Sequence, residues 1–111
     1  MPRVAEVQAT LDVRDGGLRL SGELGFATVN SVLEPGRQAV IAMAGRAGVL
    51  DLTDVSKSDS AGLALVVDWL RAARAAKVDL ELRGIPAQMA DIARLSGLGE
   101  LMGLEAKADV A

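Results

Sequence analysis

Histidine and cysteine are both absent from this 111-residue sequence. Without them, a Ser-His-Asp triad, a cysteine nucleophile and a zinc site with His or Cys ligands are all excluded. The sequence also lacks the side chain that most often acts as an acid or base near neutral pH, and it has no Gly-rich loop ending in Gly-Lys-Ser/Thr. We therefore expect neither enzymatic activity nor a cofactor.

Aromatic residues are almost absent, with one Phe, one Trp and no Tyr, so little is available for stacking on nucleic-acid bases. The formal charge of −3 and the sequence pI of about 4.8 also argue against binding driven by phosphate contacts. Long hydrophobic runs are missing too: the longest stretch without a charge covers residues 24–33, and residues 1–6 contain no apolar signal-peptide core. We expect a cytoplasmic protein that does not insert into the membrane and does not bind nucleic acid.

The residues that are present suit one globular domain. Half of the chain is hydrophobic, and a chain of this length buries enough surface for a real core. We expect a single domain over residues 1–111, with an ordered core over residues 7–104 and a frayed tail over residues 105–111.

The first part of the sequence alternates apolar and polar residues. This pattern predicts strands at residues 7–13 and 18–24, joined by a turn at Asp15-Gly16-Gly17. Helical spacing begins at Phe26, and Pro35-Gly36 interrupts it because Pro has no amide proton and clashes with the preceding turn. A helix over residues 38–43 follows in this interpretation.

The second part alternates strands with helices. A short apolar run at residues 49–52 predicts a strand covered on both faces, followed by a polar loop. Helices are predicted over residues 60–76 and from Ile85-Pro86 to Ser96-Gly97, with a strand at residues 80–82 between them and a terminal apolar turn or helix at residues 98–104. The order predicts an α/β fold with a four-stranded mixed sheet, opened by a hairpin and covered mainly on one side by helices.

Sites in such sheets lie beyond the carboxyl ends of the strands, which here indicates the turn at residues 52–60. Ser58 or Asp59 can cap the long helix, and Ser60 falls in its first turn, where a phosphate would be tolerated. Gly62 weakens a helix, so we expect close packing there. Asp51 and Asp54 could join Asp59 around Mg²⁺, but caps and loop acceptors are the commoner use of such carboxylates, so we predict no metal site.

The long helix has two apolar stripes. Leu63, Val66, Val67, Leu70 and Ala73 suit the sheet, whereas Leu65, Trp69, Ala72 and Ala76 fall on nearly the opposite face, which we expect to face solvent and bind a partner. In the alternative interpretation, Trp69 packs under an adjacent helix or loop. The basic residues Arg71, Arg74 and Lys77 fit a solvated helix end, or else a rim that meets an acidic partner.

Asp51-Leu52-Thr53 and Asp59-Ser60-Ala61-Gly62-Leu63 resemble the signature of STAS domains, and Gly22-Glu23-Leu24 resembles a second element of that family. The stretches Leu82-Arg83-Gly84-Ile85-Pro86 and Ala93-Arg94-Leu95-Ser96-Gly97-Leu98 are most similar to the MlaB-like branch. Its members are cytoplasmic subunits of a phospholipid-transporting ABC complex.

The resemblance implies a non-enzymatic accessory subunit that binds and stabilises an ABC-transporter ATPase involved in outer-membrane lipid asymmetry. It would lie at the inner membrane through that partner, and self-association is not predicted. In the MlaB-like branch, the Ser60 position contacts the ATPase. The predicted partner surface comprises Ser58, Asp59, Ser60, Ala61, Gly62, Leu65, Trp69 and Ala72.

The alternative is an anti-sigma-factor antagonist. The resemblance to that branch makes Ser60 a candidate phosphosite. However, those antagonists usually carry Asp after Gly-Glu-Leu, where this sequence has Gly25.

Overall fold

A computed structural model describes residues 8–104 and contains one mixed four-stranded sheet with three helices. The elements are, in chain order, β1 (Ala9–Arg14), β2 (Gly17–Leu24), α1 (Val29–Ile41), β3 (Ala47–Ser58), α2 (Ser60–Ala75), β4 (Asp79–Arg83) and α3 (Ala87–Leu95). The strands lie in the order β1-β2-β3-β4; the first pair is antiparallel and the other two are parallel. The predicted fold class is confirmed. Val7, which we placed in the first strand, and the predicted tail at residues 105–111 lie outside the described residues.

The hairpin forms where the sequence predicts it. Gly16 has φ +84° in the turn, a conformation that costs glycine little, and Val13 pairs with Leu18 beside it. β2 then sends Leu18, Leu20 and Leu24 into the core beneath the helices. This face of β2 and the matching face of β3 form the floor of the hydrophobic core.

β3 differs from its prediction in two ways. It is not covered on both faces, because Asp51 and Thr53 alternate with buried Leu50 and Leu52 and lie on the polar side of the sheet. It also continues through Val55 to Ser58, so most of the predicted polar loop is strand. Pairing with β2 as far as the Leu24–Ser58 position, together with burial of Val55 and Ser58, holds these polar residues in extended conformation.

α1 is a single helix, so the predicted interruption at Pro35-Gly36 is wrong. Pro35 lies on the exposed side of the helix, while Val32, Gly36 and Val40 are buried. Burial of this face against α2 and the sheet offsets the hydrogen bond that Pro35 cannot donate. The helix therefore continues where local propensity predicts a break.

The second apolar stripe of α2 is buried, so its predicted exposure is wrong. Leu65 and Trp69 are 2% and 0% exposed, since α1 packs over them. The Trp69 indole N–H donates to the Leu33 carbonyl oxygen at 2.9 Å, and a Cβ on Gly36 would lie 1.9 Å from the indole ring. The alternative interpretation, with Trp69 under an adjacent helix, is correct.

Candidate functional site

The site is built where β3 passes directly into α2 at the carboxyl end of the sheet. Asp59 is the single residue between the two elements, and its extended backbone ends the strand. Its Oδ1 accepts hydrogen bonds from the amides of Ala61 at 2.8 Å and Gly62 at 3.2 Å. Asp59, rather than Ser58, is therefore the N-cap of α2, and it satisfies two amides that the helix leaves unpaired.

The same carboxylate also holds the loop that joins β2 to α1. Its Oδ2 accepts from the Phe26 amide at 3.3 Å, and the Asp59 amide donates to the Leu24 carbonyl oxygen at 3.2 Å. Desolvation alone would raise the pKa of Asp59, but the amides of Gly62, Phe26 and Ala61 outweigh it and leave the pKa below its usual value. A carboxylate with a lowered pKa is a weak general base, so the geometry favours a structural role for Asp59.

Two glycines allow these segments to approach closely. A Cβ on Gly25 would lie 2.8 Å from Asp59 Oδ2, and a Cβ on Gly62 would lie 2.8 Å from the Leu24 carbonyl oxygen. The close packing predicted at Gly62 is confirmed. Thr28 completes the loop, because its buried hydroxyl donates to the Glu23 carbonyl oxygen at 2.7 Å and accepts from the Gly25 amide at 3.0 Å.

Two open depressions flank this junction. The first, of about 470 Å³, lies over the ends of β2 and β3, and its polar rim includes Glu23, Lys57 and Gln88. The second, of about 270 Å³, is a groove between the first halves of α1 and α2. It is mainly apolar and is lined by Phe26, Val29, Asn30, Leu33, Ala61, Ala64, Leu65 and Asp68.

Phe26 borders both depressions and is 83% exposed, although it is the only Phe in the chain. In the sequence, Phe26 stands out only as the residue at which helical spacing begins. A lone large aromatic residue in a short loop after a strand was the available signal. An exposed aromatic side chain beside an apolar groove is typical of protein-binding surfaces.

The predicted partner residues separate into two groups. Asp59 and Ser60 are exposed and Ala61 is half-buried at the start of α2, so these three share one surface. Ser58, Gly62, Leu65 and Trp69 are buried, because the strand end and α1 cover them. Ala72 is half-buried but lies three turns further along α2, away from Ser60.

The three aspartates considered for a metal serve different local contacts. Asp51 accepts from the Thr53 amide at 2.9 Å, Asp54 pairs with Arg19 on the polar sheet face, and Asp59 caps α2. Side-chain and backbone hydrogen bonds from Thr53 lower the pKa of Asp51. Within residues 8–104, no cluster of three His, Cys, Asp or Glu residues could hold a metal ion.

The sequence profile of the family described as "Mlab, STAS domain" matches residues 7–104. This chain belongs to the STAS domain family. STAS domains are generally regulatory rather than catalytic, and they mediate protein–protein interactions. No curated protein matches the chain.

Several solved structures resemble this STAS domain, and two of them are informative. The anti-sigma factor antagonist SpoIIAA in its unphosphorylated form superposes with a TM-score of 0.64 at 23% identity, over 83% of each chain. The murine Slc26a9 anion transporter in its inward-facing state superposes with a TM-score of 0.55 at 25% identity. This match covers 77% of this chain but 14% of the transporter chain. The first likeness shows the fold, and the second shows that a similar domain occurs within a transporter chain. Among the described residues, no helix has the length and apolar character needed to span a bilayer.

Proposed function

We propose that this STAS domain is a non-enzymatic accessory subunit that binds and stabilises the ATPase of a phospholipid-transporting ABC complex. It would lie on the cytoplasmic side of the inner membrane, held there by its partner. The observation that carries the proposal is the exposed Phe26, which Asp59 holds next to the start of α2 at the mouth of an apolar groove. The MlaB description of the family and the transporter-linked STAS neighbour support the choice of partner.

The groove suits a protein partner better than a small molecule. It is open to solvent along its length, whereas small-molecule sites bury most of their ligand. The Phe26 amide donates to Asp59, so the backbone that carries the ring is held before any partner arrives. Aromatic side chains of this kind often supply much of the binding energy at an interface.

Ser60 is exposed at the first position of α2 and precedes Ala61, which lines this groove, so we expect a partner that covers Phe26 to meet the Ser60 side chain too. Burying the Ser60 hydroxyl in an interface costs little free energy when the hydroxyl is hydrogen-bonded. A carboxylate at the same place would suit the helix dipole of the free domain but would be buried without a partner in the complex. Ser60→Asp should therefore weaken the complex more than Ser60→Ala.

The second candidate function is that of an anti-sigma-factor antagonist switched by phosphorylation of Ser60. Exposure of Ser60 at a helix start is compatible with a kinase reaching it. Gly25 favours the first candidate, because the resemblance to antagonists predicts an Asp at this position, whereas here a Cβ on Gly25 would lie only 2.8 Å from Asp59 Oδ2. Incubation with ATP and the cognate kinase, read by intact mass, separates the two functions.

The test is calorimetry against the purified ATPase subunit. Phe26→Ala should reduce affinity at least about tenfold, because it removes an aromatic anchor. The matched control is Leu95→Ala, since Leu95 is 89% exposed at the other end of the helical layer and should leave affinity unchanged. Absence of binding by the wild-type domain, or equal affinity for Phe26→Ala, would overturn the proposal.

A further inference from the structure

The face of the sheet opposite the helices is uncovered in the part of the chain that the structure describes. Buried leucines of β2 and β3 point into the core beneath the helices, and Arg19 and Asp51 alternate with them along the two strands. Because successive side chains of a strand point to opposite faces, Arg19 and Asp51 lie on the uncovered face. At its two edges, the side chains of Asp12 and Arg83 are more than half exposed.

Four charged residues form one row across this face. In the strand register, Asp12 pairs with Arg19, Arg19 with Asp51, and Asp51 with Arg83. Side chains of residues directly opposite each other on neighbouring strands lie on the same face, so the row presents negative, positive, negative and positive charge from β1 to β4. With strands about 4.8 Å apart, the row is roughly 14 Å long, and its net charge is zero.

A second row lies two residues nearer the hairpin turn. Here Arg14 pairs with Gly17, Gly17 with Val49, and Val49 with Glu81. This row is positive at the β1 edge, uncharged in the middle and negative at the β4 edge. Its net charge is also zero.

The two rows are self-complementary under one symmetry operation. A two-fold axis that runs parallel to the strands, between β2 and β3, reverses the order of each row in a second copy placed face to face. Asp12 then faces Arg83 of the second copy, Arg19 faces its Asp51, and the second row becomes complementary in the same way. An axis across the strands would instead set each row against itself in the same order, with like charges facing.

The two central residues of the first row keep hydrogen-bonding capacity in the single domain. Among residues 8–104, Asp51 has no cation at ion-pairing distance, and its Oδ1 accepts from the Thr53 amide. Arg19 pairs with Asp54 through one terminal nitrogen, whereas a guanidinium has five N–H donors. Face-to-face sheets pack about 10 Å apart, a gap that an Arg and an Asp side chain span together.

We propose that the uncovered sheet face binds a second copy of this chain, in a homodimer about the two-fold axis parallel to the strands. The facing area is small and charged, so the interface belongs with the weak, transient ones. The helical layers lie on the outside of such a dimer, which leaves the surface around Phe26 free. The proposal therefore does not rest on the proposed ATPase binding.

Sedimentation equilibrium of the full chain tests the proposal, over protein concentrations from about 10 μM to 1 mM, where weak interfaces dissociate. Each chain carries a net charge of −3, which repels a second copy. A salt concentration of about 0.1 M shortens the Debye length to about 10 Å, which screens this long-range repulsion more than it screens the facing pairs. Under these conditions the chain should show a monomer–dimer equilibrium.

Charge reversal at the edges of the first row tests the geometry. Asp12→Lys sets Lys against Arg83 of the second copy, and Arg83→Glu sets Glu against its Asp12, so each single variant should dimerise at least about tenfold more weakly than the wild type. An equimolar mixture of the two variants should recover the dimer, because every facing pair is then opposite in charge. The double variant should recover it for the same reason.

The matched controls are Asp91→Lys and Arg94→Glu, because both residues are exposed and carry the same charges on α3. Neither control should change the dimer. Arg14→Glu and Glu81→Arg repeat the test in the second row, so a single variant that fails to fold leaves the comparison intact.

Three results would overturn the proposal: a monomer at about 1 mM, single variants that dimerise as well as the wild type, or a mixture or double variant that does not recover the dimer. A dimer that Phe26→Ala dissociates would also overturn it, because the second copy would then cover the apolar groove between α1 and α2. Since Phe26→Ala tests ATPase binding and the charge reversals test the dimer, either proposal can fail without the other.

Discussion

The contact between Gly36 and Trp69 decides which surface of the long helix is free. Helical periodicity correctly divides α2 into two apolar faces, but periodicity does not say what covers a face. Gly36, next to Pro35, has the sequence signature of a helix break, yet its missing side chain leaves room for the indole ring. The Leu33 carbonyl oxygen then accepts the indole N–H, so full burial of Trp69 leaves no donor unpaired.

Gly36→Ala should destabilise the domain by at least about 2 kcal/mol, because the added Cβ would overlap the indole ring and force α1 away from α2. This change in stability is opposite in sign to that of Gly→Ala at an ordinary helical position, which stabilises the helix by up to about 1 kcal/mol. Urea unfolding measures the difference. Asn30→Ala, at an exposed position of the same helix, is the control and should change stability by less than about 0.5 kcal/mol. A Gly36→Ala variant as stable as the wild type would contradict this packing.

The sequence predicts helices and strands well where their signals are local, and poorly where packing against another element determines the structure. The hairpin and the start of α2 follow from turn and cap residues, and the structure places both as expected. The end of β3 and the continuity of α1 depend on β2 and α2, which lie far away in the sequence. The polar residues at positions 53, 54, 56 and 57 and the Pro at position 35 therefore favoured a loop and a helix break in a local interpretation.

The cap of α2 gives a pH-dependent prediction. Because the pKa of Asp59 is lowered in the folded state, its contribution to stability is present above the unfolded pKa of about 3.9 and is lost as pH falls through the folded pKa. Asp59→Asn should keep most of the stability at pH 7, since Asn caps helices equally well. On acidification, this variant should lose less stability than the wild type does. Asp59→Ala should cost about 1–2 kcal/mol at pH 7.

Urea titrations at pH 7 and pH 3 measure both effects. The lowered pKa of Asp51, caused by Thr53, acts in the same direction and remains in every variant, so it cancels from the comparison. If Asp59→Asn lost as much unfolding free energy on acidification as the wild type, protonation of Asp59 would not contribute to the acid sensitivity of the domain.

At the scale of the whole molecule, the sequence was sufficient to predict the architecture but not to predict which residues are exposed on the surface. The order of elements predicted one mixed sheet with helices on one side, and it also pointed to the strand ends as the place of the candidate site. Which residues stay exposed depends on the packing of α1 over α2, and no local pattern encodes it. For this reason Leu65 and Trp69 were wrongly assigned to the surface, whereas Phe26 was missed.

Trp69 provides a probe of that packing, because it is the only Trp and the chain has no Tyr. A solvent-facing Trp69 would emit in the red and be quenchable; its burial under α1 instead predicts blue emission that iodide does not quench. Since the ring contacts α1 and lies in the same core cluster as β2 and β3, its environment should persist until the whole domain unfolds. In urea, the red shift of the emission and the loss of far-UV circular dichroism should then share one midpoint.

Phe26→Ala is the control and should leave the emission spectrum of the folded domain unchanged. A red shift that precedes the loss of dichroism would mean that α1 leaves α2 in urea before the rest of the domain unfolds.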